Sequence, residues 1–446
     1  MTVSQQLNTA PDTDTPPPIT EAPTPQASLM AAFKVRDFRL VWAGESISLL
    51  GDQFYMVALP WLTLQLTGSG LALGAVAAAG GIPRAIFMLL GGAMTDRFSP
   101  RSVMFVSNAL RVILTVLITL LIVTHNIQFW MLFLASLLFG LVDAFFFPAS
   151  SAIVPMIVAK EQIESGNALI QITAQLSNFV GPALAGLIIA SISGAANLQT
   201  LEASTSNGDI RGIGLAIGFD ALTFVIAAIA LWLMKGGRTA AQSEEKQSVL
   251  ASIADGLRVV WTDPILRTMI IVITAINFLF TGPMGVGIPI LAKHLPEGAA
   301  AFGAILSAFG GGALVGAILG GTLPVPRRMG TIVMLLIAAA GVGLSLFGIV
   351  NSLLVGVVVA IAMGTTFGYT NVVSISWLQK RIPAEKMGRV MSLVMLGSFG
   401  LGPISNFIAG TLVDNHLTLM FGGAGLILVL MSLVSLTNRE IRAMGS

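Results

Sequence analysis

Long apolar stretches, each about as long as a membrane is thick, dominate the pattern of hydrophobic and polar positions. A bilayer core of about 30 Å is crossed by about 20 residues of α-helix, and the sequence offers twelve such stretches with mostly short polar breaks. They are 39–66, 71–95, 102–124, 128–156, 167–192, 212–235, 266–291, 300–323, 329–350, 353–378, 388–413 and 417–437. Longer polar segments occur only at 194–211 and 236–265. The pattern predicts an all-α integral membrane protein with twelve transmembrane helices.

The composition supports this fold class and removes several kinds of chemistry. Only 10% of the residues are charged and 55% are hydrophobic, whereas soluble proteins have about 25% charged residues. The chain has no cysteine, which excludes disulfides and thiol sites. No lysine follows a glycine, as a Walker loop requires, and the three histidines fall in separate polar breaks. We therefore expect no enzyme, no metal site and no cofactor.

The basic residues orient the helices. Nearly all of the 23 lysines and arginines fall in breaks that share one side when the N-terminus is placed in the cytoplasm, and basic loops stay cytoplasmic. Only Arg211 and Lys293 would lie outside, while Arg84 and Arg111 fall within helices. This predicts a multi-pass protein of the cell's inner (plasma) membrane with both termini in the cytoplasm. Because the basic residues set topology, nucleic acid is not expected as a partner.

Polar segments divide the chain into regions. Residues 1–33, rich in Pro and Thr, show almost no apolar periodicity and are predicted to be a disordered tail. Two six-helix bundles follow at 34–235 and 266–440, joined by a cytoplasmic linker at 236–265. Apolar residues in this linker recur at helical spacing, which predicts an amphipathic helix along the membrane interface. They are Val249, Leu250, Ile253, Leu257, Val260 and Trp261.

The two bundles repeat the same features in the same order. "GGAMTDRFSPRS" (91–102) ends the second helix and "GGTLPVPRRMG" (320–330) ends the eighth. "VGPALAG" (180–186) and "LGPISNFIAG" (401–410) place Gly-Pro within the fifth and eleventh helices. The repetition indicates an internal duplication, and repeated halves that face a central site are the architecture of many secondary transporters.

The stretch 91–102 resembles the signature of the major facilitator superfamily between its second and third helices. The matching residues are Gly91, Gly92, Asp96, Arg97 and Arg101. The resemblance covers the hydrophobic chain from about 36 to 440 and implies the twelve-helix major facilitator fold with two pseudo-symmetric bundles.

Within that superfamily the chain is most similar to the third group of drug:proton antiporters, which includes macrolide and siderophore exporters. The similarity lies in "FRLVWAGESISLLGDQFYMVALPWLTLQLTGS" (38–69) and "DAFFFPASSAIVPMIV" (143–158). It also assigns helix-bend motifs to Gly181, Pro182, Gly186, Gly402 and Pro403. The arginine that many drug exporters carry in the fourth helix is absent from "SLLFGLVDAFFF" (136–147), which argues against a proton mechanism built on that arginine.

The resemblance gives the stretch 91–102 the role of a cytoplasmic gate. It implies that Asp96 faces the N-terminus of the eleventh helix, where a negative charge is favourable, and that Arg97 and Arg101 anchor the turn. Such a contact would stabilise the outward-facing state and break when the inner gate opens. The alternative is a turn kept basic for topology alone, which explains the arginines but not the aspartate or the glycines.

Six ionisable residues fall within the predicted helices, all of them in the first bundle. They are Glu45, Asp52, Arg84, Arg111, Asp143 and Asp220. A charge at the centre of a transmembrane helix costs about 2.5–3.5 kcal/mol, so these residues are candidates for function. Equal depth along the helices, at about 1.5 Å per residue, predicts the pairs Asp52–Arg84 and Arg111–Asp143.

Two interpretations of these charges are open. In one, a carboxyl group binds and releases a proton as the cavity changes sides. In the other, the arginine–carboxylate pairs are static ties between helices. A buried carboxyl group without a cation favours its neutral form, whereas a paired one favours its charged form. Glu45 and Asp220 are therefore better candidates for a proton carrier than Asp143, and Asp52 could serve if Arg84 is released.

The expected function is proton-coupled efflux of hydrophobic or amphipathic small molecules such as drugs, by alternating access, with the proton gradient as the energy source and a monomer as the working unit. A mainly apolar cavity between the bundles would suit such substrates. Its candidate lining residues are Tyr55, Met56, Asn277, Phe278, Tyr369, Asn371 and Trp377. The alternatives are a carrier of lysophospholipids, other lipids or siderophores with the same fold, and a transporter-like receptor without net transport.

Overall fold

The computed structural model describes residues 30–197, 206–237, 258, 260–324, 326, 328–382, 384–438 and 442. The first bundle consists of α1 (Arg36–Thr67), α2 (Gly70–Arg97), α3 (Pro100–Val123), α4 (Phe129–Ile157), α5 (Ile163–Asn197) and α6 (Ser206–Leu233). The second bundle consists of α7 (Pro264–Gly282), α8 (Ala299–Thr322), α9 (Met329–Phe347), α10 (Leu353–Arg381), α11 (Ala384–Phe399) and α12 (Gly402–Thr437).

Eleven helical segments of the described chain are long and apolar enough to cross a membrane, by length and composition. Two of them, Leu393–Asp414 and His416–Thr437, meet at a kink within α12, where His416 leaves the helical conformation. The twelfth helix is α1, whose 32 residues exceed the about 20 that a bilayer requires. Its polar residues Glu45, Asp52 and Gln53 lower its hydropathy. The predicted twelve-helix membrane fold is confirmed.

Helix α7 does not stop at Gly282 but continues through a π-helical turn, Pro283–Gly287, into a short helix, Ile288–Lys293. The hydroxyl group of Ser405 explains how the irregular backbone is satisfied. It accepts a hydrogen bond from the backbone N–H of Gly282 (2.8 Å) and donates one to the carbonyl oxygen of Phe278. A side chain of α12 thus supplies the partners that a regular helix would find within itself.

The folded chain begins earlier than the sequence predicted. Ala31–Lys34 form a 3₁₀-helix inside the segment expected to be disordered. The ring of Phe33 packs edge-on against Phe38 and Trp42, with centroids 5.7 and 4.8 Å apart. Apolar burial of this kind offsets the entropy of ordering the chain, and the aromatic Phe33 supplies it where Pro and Thr would not.

Two of the predicted polar segments are described only in part. Helices α5 and α6 extend into 194–211, and residues 198–205 between them lie outside the described residues. Most of the predicted linker helix, at 238–257, also lies outside them. At the end of the linker, Val260 is buried among apolar side chains of α7 and α10, including Leu266 and Leu378. This end of the linker therefore packs on the second bundle.

The two bundles meet where α5 crosses α8. A Cβ atom on Gly186 would lie 2.6 Å from the carbonyl oxygen of Ala299 and 3.0 Å from the Cα atom of Gly303. A Cβ atom on Gly303 would in turn collide with the carbonyl oxygen of Pro182. The two backbones therefore touch directly, which is possible only because the residues at the crossing are small.

The pseudo-symmetric counterpart of this contact is the crossing of α2 and α12. A Cβ atom on Gly74 would lie 2.5 Å from the carbonyl oxygen of Asn406 and 3.0 Å from the Cα atom of Gly410. Both crossings lie near the helix ends where the topology places the outside of the cell, which we call the outer end. The opposite end is the inner end. The bundles are thus closed on one another at the outer end.

The crossing geometry predicts that Gly303 tolerates no side chain. Gly303→Ala should lower the melting temperature in detergent, because overpacking of a well-packed contact costs about 1–3 kcal/mol. The matched control is Gly321→Ala in the same helix, where a Cβ atom would meet nothing within 4 Å and where alanine favours the helix by about 1 kcal/mol. Equal melting temperatures for the two variants would contradict the crossing.

Candidate functional site

A cavity of about 830 Å³ runs from the inner part of the first bundle past the middle of its helices, as far as Pro60 of α1 and Ala77 of α2. It lies between α1, α2, α4 and α5, and Arg111 reaches it from α3. Its walls are largely apolar, with a small number of charged and polar groups, as is typical of small-molecule sites. Its charged lining residues are Glu45, Asp52, Arg84, Arg111 and Asp143.

Helix α1 presents its acidic residues to this cavity because its opposite face is committed to α6. A Cβ atom on Gly44 would lie 3.0 Å from the Cβ atom of Ala230, and one on Gly51 would lie 2.6 Å from a carboxylate oxygen of Asp220. Residues seven positions apart share a helix face, so Glu45 and Asp52 both face the cavity, where each is partly buried.

Asp143 is the centre of the ion pairs in the cavity. It pairs with Arg111 through a short hydrogen bond from Nη2, and Arg84 Nη1 lies 3.8 Å from its other carboxylate oxygen. The predicted Arg111–Asp143 pair is therefore present, but the predicted Asp52–Arg84 pair is wrong. Arg84 points to α4 rather than to α1, which depth along the helix axis could not reveal. In the described part of the chain, neither Glu45 nor Asp52 has a cation within ion-pair distance.

Arg111 is held more tightly than Arg84. Its side chain is only 5% exposed, against 47% for Arg84. Its guanidinium carbon lies 4.0 Å from the ring centre of Phe146 and 5.2 Å from that of Phe224, so both aromatic faces stabilise its charge. The arginine thus joins α3, α4 and α6, and two of its buried donor atoms, Nε and Nη1, have no hydrogen-bond partner among the described residues.

Asp220 lies apart from the other carboxylates. It is fully buried at the contact of α6 with α1, and it does not line the cavity. The hydroxyl group of Thr223 lies 3.4 Å from one carboxylate oxygen, and the other, Oδ2, has no partner within the described residues. Among the described residues, Asp220 has no ion-pair partner.

Of the residues predicted to contact a substrate, Tyr55 and Met56 line the cavity. Tyr55 stacks on Phe139 of α4 with ring centroids 4.6 Å apart, and Met56 is 43% exposed. The lining of this cavity includes no residue of the second bundle. The five predicted there lie elsewhere, and they are Asn277, Phe278, Tyr369, Asn371 and Trp377.

The predicted bend residues lie at contacts between helices. Gly181 packs against the side chain of Gln53 on α1, and α5 continues unbroken through Pro182, while Gly186 makes the crossing with α8. The Gly402–Pro403 pair lies at a real interruption, since α11 ends at Phe399 and α12 begins at Gly402. Pro403 packs against Gly81 of α2, where a Cβ atom would lie 2.5 Å from the proline ring.

The predicted cytoplasmic gate is described only in part. The structure does not describe the surroundings of Gly91, Gly92 and Asp96 or those of the first residues of α11. The predicted contact of Asp96 therefore stays a prediction. Arg97 is exposed. Arg101 donates hydrogen bonds to the carbonyl oxygens of Leu231 (2.7 Å) and Trp232 (2.8 Å) at the end of α6, where a cation is favourable.

A second carboxylate at the inner end caps α7. Asp263 accepts hydrogen bonds from the backbone N–H groups of Ile265 (2.9 Å) and Leu266 (3.3 Å), and from Arg381 of α10 at 3.1 and 2.9 Å. Burial would raise the pKa of Asp263, but these hydrogen bonds outweigh it and lower that pKa. Its stabilising effect is therefore present above the ordinary pKa of an aspartate and is lost as the pH falls through the lowered one.

Sequence reasoning missed a carboxylate at the outer end. Asp414 accepts hydrogen bonds from Ser69 and from the first backbone N–H groups of α2, although the two segments are more than 340 positions apart. An aspartate directly after a transmembrane segment looks like an ordinary loop residue. The signal that could have found it is the repeat, because it relates the crossing of α5 and α8 to one between the eleventh predicted helix and α2.

Comparison with known proteins gives a family match over most of the chain. The model of the Major Facilitator Superfamily matches residues 41–405. The chain is similar to the multidrug efflux pump Tap of Mycolicibacterium fortuitum, with 27% identity over 82% of this chain and 86% of that protein. It is also similar to macrolide efflux protein A of Streptococcus pyogenes, with 22% identity over 91% of this chain and 96% of that protein.

Solved structures show the same fold. The nucleoside transporter NupG superposes with a TM-score of 0.68 at 14% identity, covering 90% of this chain and all (100%) of that one. A bacterial homologue of the iron transporter ferroportin, in an inward-facing state, gives 0.64 at 18% identity, covering 90% and 99%. At these identities the likeness extends to the fold and not to the cargo.

The geometry of Asp143 predicts unequal roles for its two arginines. Arg111→Met should destabilise the protein by about 3–5 kcal/mol, because it leaves a partly buried carboxylate without its main partner. The matched control is Arg84→Met, which removes a half-exposed partner at longer distance and should cost less than about 1 kcal/mol. Thermal unfolding in detergent measures both, and a larger loss for Arg84→Met would refute the assignment.

Proposed function

The chain belongs to the major facilitator superfamily, and from that premise we propose that it exports hydrophobic or amphipathic small molecules in exchange for protons, by alternating access. Its curated relatives are efflux proteins by name, one for multiple drugs and one for macrolides. The cavity supports the same class of cargo, because its largely apolar walls surround only a few charged groups. Export of this kind would take place in the cell's inner membrane, with one chain as the working unit.

One observation carries the proposed proton coupling. The cavity holds three carboxylates and two arginines, and both arginines are directed at Asp143. Glu45 and Asp52 have no ion-pair partner among the described residues. A charge in the membrane interior is costly. Protonation of Glu45 and Asp52 would therefore lower the free-energy cost of enclosing this cavity wall in an apolar environment, and loss of the protons would raise it.

The positions of the carboxyl groups indicate which of them could exchange a proton and which has a packing role. Glu45 and Asp52 both line the cavity, and they are two turns apart on one helix face. Asp220 is buried behind α1 with no opening to the cavity. We therefore assign proton exchange to Glu45 and Asp52 and a packing role to Asp220, which the sequence alone had placed among the better carriers.

The neighbouring aromatic groups suit an amphipathic cargo. Tyr55 and Phe139 form a stacked pair in the cavity wall, and Met56 and Phe147 add exposed apolar surface. Aromatic faces and a flexible methionine adapt to cargoes of different shapes. A cargo and a proton would then use the same cavity at different stages of the cycle.

Transport in inverted membrane vesicles tests this proposal. With a proton gradient imposed, the parent protein should accumulate a lipophilic dye or macrolide, and the double variant Glu45→Gln/Asp52→Asn should fall to the background level. Asp220→Asn should keep proton-driven accumulation. The matched control for loss of an acidic charge is Glu161→Gln, at an exposed inner turn, which should transport like the parent.

Each alternative has its own outcome in the same vesicles. Undiminished accumulation by the double variant would show that proton exchange does not occur at Glu45 and Asp52. Transport of labelled lysophospholipid without transport of drugs would show that the cargo is a lipid rather than a drug. No movement of either compound would favour a receptor over a transporter.

A further inference from the structure

A carboxylate of the second bundle caps a helix of the first bundle at the outer end. Asp414 Oδ2 lies 3.1 Å from the Ser69 hydroxyl oxygen and 3.4 Å from the backbone nitrogen of Leu71. Its Oδ1 atom accepts a short hydrogen bond from the backbone N–H of Gly70. The first N–H groups of a helix have no partner within the helix, and a negative charge there is favourable. The N-terminus of α2 thus takes its charged cap from the other bundle.

The packing around this cap fixes its geometry. A Cβ atom on Gly70 would collide with the side chain of Val413 and lie 2.9 Å from Ile290, so the start of α2 is pressed against two segments of the second bundle. One turn further along α2, Gly74 makes the backbone contact with Gly410. The cap and the crossing are therefore parts of one contact surface, and the cap cannot survive separation of the outer ends.

A small space under the cap is shared by the two bundles. It has a volume of about 320 Å³ and is lined by the end of α1 together with the short helix before α8 and the kink of α12. Leu64 and Gly68 line it from the first bundle, and Lys293 and Asp414 line it from the second. This is the place where water would enter if the outer ends moved apart.

We infer that Asp414 is the outer gate residue, whose bond to the N-terminus of α2 holds the outer end closed and must break before the protein can open outward. The inference rests on the alternating access proposed above. It assigns to Asp414 a role that is independent of cargo and of the proton carrier, because the residue belongs to the second bundle and does not line the cavity that holds Glu45 and Asp52.

The absence of cysteine from the chain makes a direct test possible. Ile290→Cys places one thiol on a side chain that is 7% exposed and that faces Gly70 across the bundle contact. Its reaction with a membrane-impermeant maleimide from the outer side should be slow in the parent. Asp414→Asn should raise the rate about two- to fivefold, because it removes the negative charge that is favourable at the N-terminus of α2, while the amide oxygen can still accept a hydrogen bond.

The matched control is Asp263→Asn. It also removes a carboxylate that caps a helix N-terminus, but its partners on α7 and α10 lie within the second bundle. It should leave the labelling rate of Ile290→Cys unchanged. An equal rise in both variants would show general loosening, and no rise in Asp414→Asn would overturn the assignment of Asp414 as a gate.

A second thiol distinguishes gating from unfolding. Ser151 is exposed and lines the inner cavity, so Ser151→Cys reports on the inner end. Outward opening should slow its labelling from the inner side in Asp414→Asn, whereas unfolding would raise the labelling of both thiols. The measurement needs no cargo and no proton gradient. Changed labelling with no transport would support the gate role of Asp414 and contradict the proposed export function. Transport with unchanged labelling would support export and contradict the gate role.

Discussion

The cost of an unpaired charge in the membrane interior constrains this protein more than any other interaction. It explains why Arg111 lies between two aromatic rings and against Asp143, so that α3, α4 and α6 are joined around one cation. The cavity forms beside this joint, and Glu45 and Asp52 face it rather than lipid. In its described part, the second bundle carries its charged residues only near the ends of its membrane-spanning segments, so charges within the membrane belong to one half of a duplicated fold.

Contact between the halves depends on a different property, which is the smallness of residues at two crossings. At both crossings a glycine of each helix lies against the backbone of the other, with Gly186 opposite Gly303 and Gly74 opposite Gly410. Backbones in direct contact have no rotamers to rearrange when they separate or return. Such surfaces can part as rigid bodies and close again at little entropic cost, which would suit the alternating access proposed above.

Much of the fold could be predicted because apolar length alone determines which segments cross a membrane. The Arg111–Asp143 pair could also be predicted, since α3 and α4 are neighbours in sequence and the two residues have equal depth. Depth is a single coordinate, however, and it cannot tell toward which neighbouring helix a side chain points. For that reason the partner of Arg84 was wrong, and Asp414, whose partner is distant in sequence, was missed.

The interactions at the two ends of α2 suggest why neither the inward-open nor the outward-open state would be much more stable than the other. At the outer end, Asp414 of α12 caps α2. At the inner end, the family resemblance implies the converse, with Asp96 of α2 facing the start of the eleventh predicted helix, which leads into α12. Rocking would break one cap while the other forms, so the two states would exchange interactions of the same kind. Because each cap contributes about 0.3–2 kcal/mol, their difference would be small, and under the proposed mechanism the binding of cargo or protons would suffice to decide which end is open.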